Sequence, residues 1–291
     1  MTAHAVRLRG GRSHARWKSW AFVGFLLFST AVGFVALGAL LVDIAKDGAG
    51  AVSAQLFTDA PSQDPSIAGA RPAILATIYI GVLLLAMAVP IGILTAIYLE
   101  EYANKERWYN RLLELNIQNL AGVPSIVYGI LGLAFIVRGL GLGRVLLAGA
   151  IILTLLVLPT VIIASREALR AVPGSIREGA FALGATKWQV VWRQVLPVAL
   201  PGIATGAILA LSRALGETAP LIMIGAVTYI AFDPTVLGPF TALPIQIFSW
   251  TTQVDPKFLE LAAAASLVLL GIVFALNLVA IVVRNRFQRR W

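Results

Sequence analysis

Long apolar runs alternate with shorter polar ones along this chain. Six runs are long enough to cross a bilayer: residues 20–42, 74–99, 117–137, 145–163, 203–224 and 259–283. Each holds about 19–26 residues, against the ~20 that a hydrocarbon core of ~30 Å demands of a helix. In lipid each must be helical, because an open sheet edge leaves backbone groups without partners. The pattern therefore predicts an all-α integral membrane protein with six transmembrane helices. Between the runs, residues 43–73 read as a polar loop. Residues 225–258 carry Pro234, Pro239, Pro244, Pro256 and several aromatics, too apolar for a simple linker, so a re-entrant or interfacial piece is expected there. The first run follows a basic segment, as a signal peptide's does, and Val52-Ser53-Ala54 has the look of a cleavage site. The run exceeds the ~7–15 residues of a signal h-region and ends well before that tripeptide, so an uncleaved helix is expected. Pro90, Pro124 and Pro159 fall within or near apolar runs and are expected to kink them. No internal repeat is visible.

Composition agrees with the pattern. Of 291 residues, 59% are hydrophobic and 13% charged, about half the ~25% charge of a soluble domain. The absence of cysteine excludes disulfides, cysteine-held metals and a thiol nucleophile. The two histidines, His4 and His14, lie in the N-terminal tail and form no zinc spacing. No phosphate-binding glycine loop of the G-x-x-x-x-G-K-[ST] kind occurs, so the chain does not bind ATP in the usual way. No nucleophile–base constellation stands out either.

The net charge is +9, which in a soluble chain would suggest nucleic acid. Placement says otherwise. Seventeen of the 23 Lys and Arg residues fall in the N-terminal tail, the second–third loop, the fourth–fifth loop and the C-terminal tail. All four segments lie on one side of the six runs. The positive-inside rule makes that side cytoplasmic, with both termini inside. The organisation expected is a basic cytoplasmic tail (1–19), a first transmembrane helix (20–42), an extracytoplasmic loop (43–73), a membrane core (74–283) and a second basic tail (284–291). The partner implied is the lipid bilayer, and nucleic acid is not.

Arg213 belongs to neither side. It lies about ten residues into the fifth run, about 15 Å deep at 1.5 Å per residue, where a charge costs at least ~2.5–3.5 kcal/mol. Glu217 follows four residues later and can share its helix face. At ~100° per residue, Gly202, Gly206, Ala210, Ala214 and Thr218 form one small-residue stripe, with Arg213 and Glu217 inside it. Ile208, Leu211, Leu215 and Ile222 fall opposite, on the face expected to meet lipid. The pair is thus expected to point into a protein interior or a pathway. An arginine fork suits an oxyanion, to which it can make two parallel bonds.

The fourth–fifth loop, residues 166–197, is the longest cytoplasmic segment between runs. Two short helices are expected in it. The first starts at Pro173 and runs to about Leu183. Gly184 supplies a positive-φ turn, and Thr186 caps a second helix over 187–194. Leu196-Pro197 is expected to stop that helix. Trp188, Trp192, Lys187 and Arg193 would also suit an amphipathic loop lying on the membrane surface.

Two sets of residues carry a family resemblance. Glu178-Gly179-Ala180, Gly184 and Leu196-Pro197 match, in spacing, the E-A-A, G and L-P positions of the coupling loop in bacterial ABC-importer permeases. Gly179 replaces the first alanine of that pattern, and Gln194 replaces its isoleucine. RALGETAP at 213–220 and GVPSIVYG at 122–129 resemble segments of the phosphate-specific (Pst) permeases. The likeness extends over about 73–283 and is nearer to the PstA type than to the PstC type. It implies the type I ABC importer permease fold and a transmembrane path for inorganic phosphate. It also implies a PstC-type sister permease, a PstB-type ATP-binding homodimer and a PstS-type extracytoplasmic phosphate-binding protein, in a bacterial cytoplasmic (inner) membrane. ATP and Mg would be used by the partner ATPase, with no cofactor on this chain and no enzymatic activity of its own. The resemblance assigns Arg213 and Glu217 to the substrate path, with Thr218, Ser125 and Tyr128 beside them. It assigns Glu178, Gly179, Ala180, Gly184, Leu196 and Pro197 to the ATPase-coupling loop. Other readings are a permease for sulfate or molybdate, an ATP-independent carrier, or a structural membrane partner in which Arg213–Glu217 only packs.

Overall fold

A computed structural model describes residues 12–104, 106–226 and 229–287. His4, Arg7, Arg9, Arg289 and Arg290 of the two tails and Lys105 of the second–third loop lie outside the described residues. In chain order the helices are α1 (Arg12–Gly48), α2 (Ala54–Thr58), α3 (Arg71–Ile97), α4 (Trp108–Ala121), α5 (Ser125–Leu131), α6 (Leu146–Arg170), α7 (Gly174–Ala182), α8 (Lys187–Val190), α9 (Leu196–Leu215), α10 (Ala219–Met223), α11 (Leu243–Thr251) and α12 (Lys257–Phe287). There is no strand among the described residues.

The chain divides into two units, residues 1–46 and 47–291. The first is built on α1, whose 37 residues are apolar around the helix from Trp20 to Val42. The second holds the remaining helices. Among the described residues five rods are long and apolar enough to span a membrane, or six when a bent pair is counted as one span.

In the second unit α3, α6 and α9 pack on one another, and α12 packs on α9. Between lipid-bathed helices the hydrophobic effect gives no net attraction, so close backbone approach has to hold them. Small residues provide it. Gly202 and Gly206 face Ala168 and Ala164 of α6, and Gly92 of α3 faces Val161. A Cβ at Gly92 would come within 2.6 Å of Val161. Around these contacts Ile80, Leu84, Leu153, Val157, Leu211 and Leu215 form the core.

The third span is not one helix over 117–137. It breaks at Gly122-Val123-Pro124, and its halves, Trp108–Ala121 and Ser125–Gly139, meet at 109°. Pro124 supplies no N–H for the ladder and disfavours helical backbone at the residue before it. Its own ψ of 139° directs the chain out of the helix. The carbonyl of Leu120 accepts from the Val123 N–H at 3.2 Å and from the Tyr128 hydroxyl at 2.9 Å, which is how a broken span satisfies its freed groups in lipid. Pro90 and Pro159, by contrast, sit inside unbroken α3 and α6. After Leu131 the chain continues as a π-helical segment, Gly132–Gly139.

Leu196-Pro197 does not stop the preceding helix. α8 runs through a single π-helical turn, Val191–Val195, directly into α9, making one rod from Lys187 to Leu215. Pro197 falls in the first turn of α9. A wide turn just ahead of a proline removes the clash with the carbonyl four residues back that would otherwise break the helix.

The 225–258 loop, where a re-entrant or interfacial piece is expected, holds a short helix, α11. Pro244 opens it, and Leu243, Ile245 and Trp250 are buried against α12 and α3. The Leu243 N–H donates to Thr77 Oγ1 at 2.9 Å, tying the loop to α3.

Candidate anion path and coupling loop

The fifth span ends earlier than its apolar run. α9 stops at Leu215, and α10 resumes at Ala219. The last turn tightens: Gly216 N–H bonds to the Arg213 carbonyl and Glu217 N–H to that of Ala214, both at 3.2 Å. Glu217 therefore lies just beyond the helix rather than on it. The tightened turn still holds its Oε1 3.8 Å from Arg213 Nε.

Arg213 is not inside this chain. Its side chain is 56% exposed, while that of Glu217 is 20% exposed. Gly206, Ala210 and Ala214 are buried, as the small-residue stripe implies, but the buried arc also takes in Ile203, Leu211 and Leu215. Leu211 and Leu215, expected to face lipid, are in the core. The open face carries Thr205, Leu209, Arg213 and Gly216. One residue from Arg213, Ser212 Oγ lies 3.0 Å from Asn277 Oδ1 on α12, which fixes the rotation of α9.

Ser125 opens α5, and Tyr128 lies one turn on; both are half-buried. Gly129, beside Tyr128, is buried against α10, where a Cβ would come within 2.8 Å of Pro220 Cα. The structure thus brings the helix of Ser125 and Tyr128 against the segment that follows Glu217 and Thr218. The Tyr128 hydroxyl is engaged with Leu120, not with Arg213 or Glu217. Thr218 precedes α10 and makes no side-chain cap to it.

The loop over 166–197 folds much as its sequence indicates. α7 covers Gly174–Ala182. Gly184 has φ of +79°, a conformation that strains residues bearing a Cβ. Thr186 and Gln189 form a full capping box, with Thr186 N–H to Gln189 Oε1 at 2.9 Å. Ala180 packs inward on a core of Leu169, Val172, Val190, Val191 and Val195. Glu178 and Gly179 face outward, and no side chain caps α7. Phe181, Leu183 and Trp188 stand beside them as exposed apolar groups, Leu183 at 91%.

A cluster that the sequence did not single out lies beneath this loop. Arg177 of α7 donates from Nη2 and Nε to Glu101 Oε1, at 2.7 and 3.2 Å, and from Nη2 and Nη1 to the carbonyls of Leu169 and Val172. Glu101 and Glu100 belong to a π-helical turn, Tyr98–Tyr102, that ends the second span. Glu100 Oε2 lies 2.9 Å from Arg170 Nε and 3.6 Å from Arg166 Nε. Arg166 Nη2 reaches Glu114 of α4 at 2.7 Å. Arg166, Glu100 and Glu101 are each 10% exposed or less. The acids lie 52–76 residues away from the arginines, so only an excess of paired charge near span ends could have hinted at them. Among the described residues no group of three or more His, Asp or Glu side chains could hold a metal ion.

Residues 88–291 match the family described as binding-protein-dependent transport system inner membrane component. The chain belongs to this family. It is a multi-pass membrane protein of the all-helical, type I ABC importer permease fold. A phosphate transport system permease protein, PstA 1, of Mycobacterium tuberculosis is 37% identical over 205 residues, which cover 70% of this chain and 66% of that one. The match thus spans just under two thirds of that relative's length. A PstC permease of Xylella fastidiosa is 30% identical over 76% of this chain and 75% of its own. A bacterial ABC transporter involved in the import of the acidic polysaccharide alginate has a chain with the same fold, at a TM-score of 0.63 and 18% identity, covering 94% of this chain and 100% of that one.

Proposed function

We propose that this chain is one permease subunit of an ATP-driven importer of inorganic phosphate. It lines the path together with a PstC-type sister permease. A PstB-type homodimer hydrolyses ATP with Mg on the cytoplasmic side, where both termini also lie, and a PstS-type binding protein delivers phosphate from outside. The observation that carries this reading is the open face of α9. An arginine in an apolar span, half-exposed beside a partly buried glutamate at a helix break, is costly unless it meets a polar path. The relatives named as phosphate transport permeases support phosphate as the anion. Glu217 holds the guanidinium and lowers its field, so that an anion binds without sticking. Ser125 and Thr218 add hydroxyls near that break, and Tyr128, whose proton goes to the Leu120 carbonyl, shapes the path by holding α4 to α5.

Glu178, Gly179, Phe181, Leu183, Gly184 and Trp188 form the outer face of the coupling loop and dock in a groove of the ATPase, with Ala180, Leu196 and Pro197 holding it on the core behind. Leu183→Asp puts a charge at the tip of that face without touching the fold. It is expected to reduce co-purification of the ATPase subunits at least about tenfold while leaving the thermal unfolding of the chain in detergent unchanged. Normal co-purification would show that this loop is not the dock. Phosphate uptake by the reconstituted complex tests the substrate.

A further inference from the structure

We infer that the arginine–glutamate cluster is a relay. It transmits movement of α7 to the broken span, and through it to the path, by passing the Glu100 carboxylate between Arg170 and Arg166. This rests on the importer reading above.

The joints are continuous. Arg177 ties α7 to the end of α6 and to Glu101, so α7 cannot shift without pulling the 98–102 turn. Lys187 Nζ, 5.0 Å above the Tyr102 ring, grips the same turn from α8. Arg166 then links that turn to Glu114 on α4. The Tyr128–Leu120 bond carries α4 to α5, and Gly129 seats α5 on Pro220 of α10. The rod 187–215 runs directly from the coupling loop to Arg213. The relay arrives at α10, on the far side of the Gly216–Thr218 break. The two routes therefore grip the break from its two ends.

The distances leave a second arrangement close to the one seen. In this conformation Arg166 Nε is a buried donor without a hydrogen-bond partner. A shift of about 0.7 Å would bring Glu100 Oε2 from 3.6 Å to the 2.9 Å that Arg170 now holds. Arg170 would keep Glu167, at 3.1 Å, and could turn to Glu114, at 3.9 Å. Each charge would stay paired in both arrangements, as a switch between two discrete states requires. Glu100 and Glu101 sit on a single π-helical turn, a local geometry frequent at functional sites.

The chain has no cysteine, so a pair introduced at Leu112→Cys on α4 and Leu155→Cys on α6, both exposed, holds the only thiols of this chain and is read with cysteine-free partner subunits. In the complete complex, the spin-label distance between them is expected to change when a non-hydrolysable ATP analogue binds. Glu114→Gln should abolish that change, keep the ATPase bound with hydrolysis within about twofold, and lower phosphate taken up per ATP about tenfold. Glu101→Gln, which opens the relay at its first joint, should behave alike. A purely structural role would not separate hydrolysis from uptake. If either variant keeps both the distance change and the normal uptake per ATP, the relay is wrong; so it is if the unmutated pair does not move. A distance change that depends on Glu114, in a complex that imports no phosphate, would support the relay and overturn the phosphate reading instead.

Discussion

Arg213→Ala is expected to lower phosphate uptake about 100-fold in a complex that still assembles and still holds its ATPase. The Arg213 side chain is half-exposed and takes no part in the α3–α6–α9 core, so truncation leaves no cavity behind. What is lost is the fork. Two parallel charge-assisted bonds to a phosphate are worth about 1.5–3 kcal/mol each, and about 1.4 kcal/mol is tenfold. Arg213→Lys keeps the charge without the fork and should lose about tenfold. Initial rates of labelled phosphate uptake into proteoliposomes, normalised to ATP hydrolysis, give both figures. Normal uptake by Arg213→Ala would remove Arg213 from the path.

Arg166→Met should have the largest effect on stability, about 3–5 kcal/mol. Removing one partner of a buried ion pair leaves the others uncompensated. Arg166 is 6% exposed, bonded to Glu114 at 2.7 Å and close to Glu100, itself 10% exposed. Arg71–Asp233 is the control. It has the same 2.7 Å separation, but its side chains are 48% and 52% exposed, so Arg71→Met should cost about 0–1 kcal/mol. Thermal unfolding in detergent separates them. Equal melting points for Arg166→Met and Arg71→Met would contradict the burial argument.

The features legible in the sequence are those set by local chemistry. Gly184 takes its positive φ, Thr186 and Gln189 close the capping box, and Gly202 and Gly206 pack on alanines of α6. The features that were not legible depend on partners distant in the chain. Angular position on an isolated helix placed Arg213 and Glu217 with the packing stripe. The buried arc is instead centred on Ile203, Ala210 and Leu211, leaving Arg213 at its open edge. In a span, leucine is equally at home in lipid and in a core, so Leu211 and Leu215 gave no sign of which they meet. Proline too is ambiguous. Pro124 breaks a span while Pro159 and Pro197 do not: Pro197 follows a π turn that makes room for its ring, and residue type alone separates none of the three.

Uptake of phosphate by the complete complex in proteoliposomes, with sulfate and molybdate as competitors, tests the importer reading most directly. ATP-dependent accumulation of phosphate that the other two anions do not suppress at equal concentration, and that Arg213→Ala removes, is the predicted result. Accumulation without ATP, or equal suppression by sulfate or molybdate, would contradict it.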